Sequence, residues 1–186
     1  MTDPRPAPLD DPRLTVMGLF AEAFAGVAAK LTAQLATLGL AGAEFEALLR
    51  LARSPDCRLR MTDLTAQTSL TSSGITRVVD RLVDRGLVSR EACPTDRRST
   101  YAVITPAGQQ LVDSALPGHL ELVERWLLGP LDAKQRRALE AALRCVRDAV
   151  QPDATAGADG AGWPDELPQP RPGGLSPAAA RAGSAQ

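Results

Sequence analysis

Ser72-Ser73-Gly74-Ile75-Thr76-Arg77-Val78-Val79-Asp80-Arg81-Leu82-Val83-Asp84-Arg85-Gly86, followed at once by Leu87-Val88-Ser89-Arg90, is the stretch that decides the fold of this chain. Ile75, Val78, Val79 and Leu82 recur at steps of three and four, the period of a helix with one buried face. Thr71 offers a capping hydroxyl ahead of them, and Gly86 stands where a left-handed residue closes a last turn. The period then shortens to that of strands. Residues 87–90 and 100–104 are β-prone runs on either side of Cys93-Pro94-Thr95-Asp96-Arg97-Arg98, a polar, turn-forming segment. The spacing predicts a helix followed by a β-hairpin.

Upstream, Thr62 is a candidate cap for a short helix reaching about residue 68, with Leu64 inward, and Leu70-Thr71-Ser72 reads as the turn before the next helix. Two helices precede it. Met17, Phe20, Phe24, Val27, Leu31, Leu35 and Leu38 mark a long one over 14–38, closed by Gly39, and Phe45, Leu48, Leu49 and Ala52 mark another over about 41–53, ended by Ser54-Pro55-Asp56. Downstream, Thr105-Pro106 restarts helix as a cap followed by a first-turn proline, running to about 128 with a kink at Pro117-Gly118. Asp132 and Gln135 form a capping box for a last helix faced by Leu139, Leu143, Val146 and Val150. The expected class is mainly α with a small β-hairpin wing, a winged helix-turn-helix that dimerises through its N- and C-terminal helices.

In that layout the second helix of the turn motif enters the DNA major groove. Its first turns present Ser72, Ser73, Thr76 and Arg77 away from Ile75 and Val79, and a helix N-terminus adds free N–H groups and a positive dipole end that favour phosphate. Arg77, Arg81 and Arg85 follow at steps of four along one face; Asp80 and Asp84 are spaced to neutralise them as an ordinary solvated face. Charge placement favours the DNA reading. Residues 58–98 carry 8 basic and 5 acidic side chains within a chain of net charge −1, and 19 of its 21 basic residues are arginine, whose planar fork fits phosphate and guanine edges.

Asp96-Arg97-Arg98-Ser99-Thr100-Tyr101-Ala102-Val103-Ile104-Thr105-Pro106-Ala107-Gly108 resembles the signature of the MarR (multiple antibiotic resistance regulator) family, an Asp-x-Arg wing followed by a strand and Thr-x-x-Gly. Residues 75–82 and 85–88 look like its recognition helix and exit strand, and the likeness spans about residues 14–150. The resemblance implies a triangular dimer with intertwined first and last helices, a wing arginine in the minor groove and, often, release by a small aromatic or phenolic effector. Carried over by motif position, Arg98 is the wing arginine beside Arg97, Asp96 orients it, and Ser72, Ser73, Thr76 and Arg77 face the groove. Thr65, Thr68, Gly74 and Ile104 depart from the family's commoner residues; Gly74 replaces a frequent hydroxyl or β-branched side chain and so bears on one DNA contact.

The domain map reads as an arm at 1–12, a winged helix domain at 13–150 and a tail at 151–186. Within the domain, 57–105 is the DNA-binding lobe, and 13–38 and 106–150 are dimerisation helices. The tail holds 6 prolines and 6 glycines in 36 residues and is expected to be disordered. Cys57, Cys93 and Cys145 form no close pair and His119 is the sole histidine, so a metal site is not expected, nor a cofactor. No nucleophile elbow, phosphate loop or paired catalytic carboxylates appear, so no enzyme is expected. Longer apolar runs such as 111–128 are broken by charges and residues 1–12 lack a basic head and apolar stretch, which gives a cytoplasmic protein without membrane contact. Partners are then duplex DNA, a second copy and a small effector; the alternative is a winged-helix scaffold for protein contacts. Phe20, Phe24, Phe45, Tyr101 and Trp126 are expected in the core and His119 in a structural role. Cys93 is read as exposed, with a redox role as a minor alternative.

Overall fold

A computed structural model describes residues 10–68, 70–93 and 99–152. In chain order these form α1 (Pro12–Thr37), α2 (Gly42–Ala52), β1 (Arg58–Arg60), α3 (Met61–Ala66), α4 (Ser72–Asp84), β2 (Val88–Ala92), β3 (Thr100–Ile104), α5 (Pro106–Val123) and α6 (Ala133–Val150). Most of the expected arm and tail lies outside the described residues, as do Asp96, Arg97 and Arg98. α1 starts two residues before its apolar period because Asp11 accepts from the Arg13 N–H and Pro12 fits the first helical position. Gly39 and Gly86 take positive φ, 66° and 68°, closing α1 and α4 where a side chain would be strained.

The core centres on α2, whose Ala47, Leu48 and Leu51 have no solvent exposure. Leu64 of α3, Ile75, Val79 and Leu82 of α4, Ala102 of β3 and Ala115 of α5 belong to the same buried cluster. At about 1.5–3 kcal/mol for each large side chain removed from water, this cluster holds the helix-turn-helix to the first half of α5.

The sheet is antiparallel in the order β1-β3-β2, so the hairpin expected from sequence carries a third strand. β1 escapes sequence patterning because Arg58-Leu59-Arg60 is three residues long, with two arginines and no β-branched side chain; its strand geometry comes from pairing with β3. The register sets Arg58 against Val103 and Arg60 against Tyr101, leaving Leu59 and Ala102 on the face toward the core. α3 begins at Met61, before the expected cap Thr62, and makes no side-chain cap bond.

α5 continues as helix through Pro117 and is followed by a π-helical turn at Glu124–Leu128. Near the proline α1 and α5 pack closely: Gln34 Nε2 donates to the Ala115 carbonyl at 3.2 Å, and a Cβ on Gly118 would lie 3.4 Å from the same nitrogen. One further expectation changes: of the five aromatics expected in the core, Phe45 alone is fully buried. Phe20 and Phe24 stack on each other on the exposed face of α1, Trp126 is exposed beside Lys30, and Tyr101 is half-buried on the outer face of the sheet.

Of the six periodic apolar residues within α1 only Leu35 is buried, and α6 buries none of its own. α1 is also the one described helix long and apolar enough to cross a membrane, with mean hydropathy 1.5 over 18 residues. Both terminal helices therefore carry apolar faces that one chain leaves uncovered.

Candidate nucleic-acid interface

α4 is built to expose its start. Thr71 Oγ1 accepts from the Gly74 N–H at 3.1 Å, the Thr71 and Ser73 hydroxyls lie 3.2 Å apart, and Thr76 Oγ1 donates to the Ser72 carbonyl at 2.8 Å. Ser72, Ser73, Thr76 and Arg77 are exposed, while Ile75, Val78, Val79 and Leu82 are buried. The cap explains Gly74: a Cβ there would come within 3.2 Å of Thr71 Oγ1, so glycine leaves room for the capping hydroxyl. A rigid, positively polarised helix start with short hydroxyls suits close approach to a phosphate backbone.

The arginine stripe divides. Glu44, buried on α2, accepts from Arg81 Nε at 2.9 Å, from Arg85 Nη1 at 3.1 Å and from the Ala41 N–H at 3.1 Å. Burial pushes the Glu44 carboxyl up, but the Ala41 N–H and the two guanidiniums outweigh it and hold its pKa below the ordinary glutamate value. Arg81, about half exposed, and Arg85 thus fasten the end of α4 to α2. Asp80 pairs with Arg90 of β2 at 2.8 Å instead of closing the stripe, and Arg77 points to solvent at the start of the helix. Sequence reading missed Glu44. Its one signal was an acidic residue at N3 of a helix, beside Phe45 on an apolar face.

The Thr-x-x-Gly segment is a structural joint. Thr105 Oγ1 donates to the Gly86 carbonyl at 2.7 Å and accepts from the Gly108 N–H at 3.1 Å, while the Thr105 N–H donates to the Leu87 carbonyl at 3.0 Å. A Cβ on Gly108 would sit 2.2 Å from the Leu87 oxygen and 2.8 Å from Ile104 Cγ1, so only glycine lets α5 approach the strand this closely. At the other end of the wing, the Cys93 N–H donates to the Ser99 carbonyl at 3.0 Å. Cys93 is buried at 3% exposure, against the exposed thiol expected from its polar surroundings; strand pairing carries it inward at the hairpin mouth.

Between α2 and α5 lies an open groove of about 390 Å³ lined by Leu49, Ala52, Arg53, Leu116 and His119 among others. The His119 ring lies 4.7 Å from that of Phe45, its Nδ1 is buried without a hydrogen-bond partner among the described residues, and burial lowers its pKa.

A helix-turn-helix whose second helix runs into a three-stranded wing defines a winged helix protein. The family model described as MarR family matches residues 38–99. The chain is 32% identical over 85 residues to the HTH-type transcriptional repressor YetL of Bacillus subtilis, an alignment covering 46% of this chain and 51% of YetL, so it spans about half the length of that relative. A crystal structure of Sco3205, a MarR family transcriptional regulator from Streptomyces coelicolor in complex with DNA, is similar at 31% identity and TM-score 0.73, covering 81% of this chain and 94% of that one. Bordetella bronchiseptica BpsR, solved to address regulation of its DNA binding by 6-hydroxynicotinic acid, is similar at 25% identity and TM-score 0.65, covering 72% and 93%. The chain belongs to the MarR family of transcriptional regulators.

Proposed function

We propose that this chain is a sequence-specific DNA-binding transcriptional regulator that reads duplex DNA as a homodimer. The observation that carries this is the exposed, Thr71-capped start of α4, with Ser72, Ser73, Thr76 and Arg77 on one side and four buried apolar residues on the other. Arg77 and the hydroxyls contact the major groove and its phosphates; Arg81 adds to the field of the helix while anchored to Glu44. Arg97 and Arg98, with Asp96 orienting the latter, serve the minor groove. Residues 57–105 act as the reading lobe. Segments 13–38 and 106–150 form the dimer, since exposed Met17, Phe20, Phe24, Leu143 and Val146 give a second copy an apolar surface to cover. Twofold symmetry then places two heads about 34 Å apart on a near-palindromic site.

The protein acts in the cytoplasm and is not an enzyme. Repression is the mode that the likeness to YetL favours. Release by a small aromatic effector fits the apolar groove between α2 and α5 and the likeness to BpsR. The test is fluorescence anisotropy on the DNA upstream of its own gene across a salt series, comparing wild type with Arg77→Ala and Arg98→Ala, with sedimentation to report the dimer. Specific binding that weakens steeply with salt and falls at least tenfold in each variant supports the proposal. Equal affinity for random duplex, or no loss in the variants, overturns it in favour of a protein-contact scaffold.

A further inference from the structure

Two arginines and a tyrosine on the outer face of the wing sheet take no part in the fold's core or in the start of α4. The Arg58 guanidinium lies 5.1 Å from the centroid of the Tyr101 ring and that of Arg60 lies 5.9 Å from it. Arg60 Nε also approaches the Tyr101 hydroxyl at 3.4 Å, and its Nη2 lies 4.0 Å from Cys93 Sγ. Register explains the grouping: Arg60 faces Tyr101 directly across β1 and β3, and Arg58 lies two residues along the same face. Tyrosine is a common strand residue, and here its ring also holds both guanidiniums together on the sheet's outer face. Stacking fixes two long side chains that would otherwise lose rotamer freedom on meeting a ligand.

We infer that Arg58 and Arg60, held by Tyr101, form a second phosphate-binding element that grips the DNA backbone beside the wing. The placement supports this. Arg60 is the last residue before α3, the first helix of the helix-turn-helix, and its guanidinium reaches the mouth of the wing loop where Cys93 and Ser99 meet. Three carboxylates flank the pair, and all three are exposed, where solvent and salt screen them. Asp56 bonds Arg58 at 3.2 Å but is 74% exposed, a surface pair that phosphate can displace. Asp63 follows on α3, and Glu91 stands across from Tyr101 on β2. Planar forks suit phosphate oxygens, and the contact is indifferent to base sequence, so it adds affinity and orientation while α4 supplies discrimination.

This inference rests on the DNA-binding reading, and one experiment separates the two. The wild-type protein, Arg58→Ala/Arg60→Ala, Arg58→Lys/Arg60→Lys, Tyr101→Leu and Arg77→Ala are titrated with the same specific duplex at several salt concentrations, each checked by circular dichroism and thermal melting. Each phosphate contact adds about 0.9 to the slope of log affinity against log salt. Across the two copies of a dimer the double alanine variant should therefore lower the slope by about 2–4 and weaken binding at least tenfold. The double lysine variant should keep the slope and lose a few-fold in affinity, and Tyr101→Leu should do the same because the charges remain but are no longer positioned. A folded double alanine variant with an unchanged slope overturns the inference while Arg77→Ala still reports DNA binding. Absence of specific binding by wild type overturns the underlying reading.

Discussion

Replacing Glu44 by glutamine keeps the shape of the side chain that ties α2 to the recognition helix and removes its charge. The carboxylate accepts three hydrogen bonds, two of them from guanidiniums at 2.9 and 3.1 Å, and is itself 7% exposed. The arginine side chains are 52% and 37% exposed, so the several kcal/mol lost on breaking a fully buried pair do not apply. Charge-assisted hydrogen bonds contribute about 1.5–3 kcal/mol each when shielded; discounted for exposure, about 1 kcal/mol per arginine remains. The expected loss is about 2 kcal/mol, or about 4–8 °C in Tm for a domain of this size. Because the folded pKa is lowered, this stability is fully present above the unfolded value of about 4.3 and is lost as pH falls through the folded value. Melting curves of wild type and Glu44→Gln at pH 7, 5 and 3.5 should show a gap that narrows only at the most acid point. A gap that stays constant with pH, or one under about 1 °C at pH 7, would refute the assignment of Glu44 as a charged anchor.

Gly108→Ala brings a methyl group to within 2.2 Å of the Leu87 carbonyl oxygen, which is backbone and has little room to yield, so a destabilisation of about 3 kcal/mol is expected in urea titration. A loss under about 1 kcal/mol would show that α5 shifts freely on the wing. Burial lowers the His119 pKa, so the unfolded chain binds its proton first and this residue costs stability as pH falls through the unfolded value of about 6.5. Tm of His119→Phe, which keeps a ring against Phe45, should fall less than that of wild type between pH 7.5 and 5.5; parallel falls would remove the effect.

The recognition helix was legible because four markers agreed: the Thr71 cap, the apolar period of Ile75 to Leu82, Gly86 and the change of period after it. The capping box of Asp132 and Gln135 was equally plain, and both reciprocal bonds form, at 2.8 and 2.9 Å. β1 was not legible, since its conformation is imposed by β3 and not by its own residues. The fate of the aromatics was hidden for a related reason. Phe20, Phe24 and Phe45 all lie on helical apolar periods, and nothing local says which face meets the core of the same chain. At the candidate interface, the type and order of Ser72, Ser73, Thr76 and Arg77 could be read directly. The division of the arginine stripe could not: Glu44 lies 37 residues before Arg81, and only the tertiary fold brings them together.

Thr105 touches the end of α4 through Gly86, the root of β2 through Leu87 and the first turn of α5 through Gly108. These three bonds weld the reading helix, the wing and the long helix at a single fulcrum. Removing the single hydroxyl would undo the α4 and α5 sides of that joint together, leaving the bond to Leu87 alone to hold the root of β2.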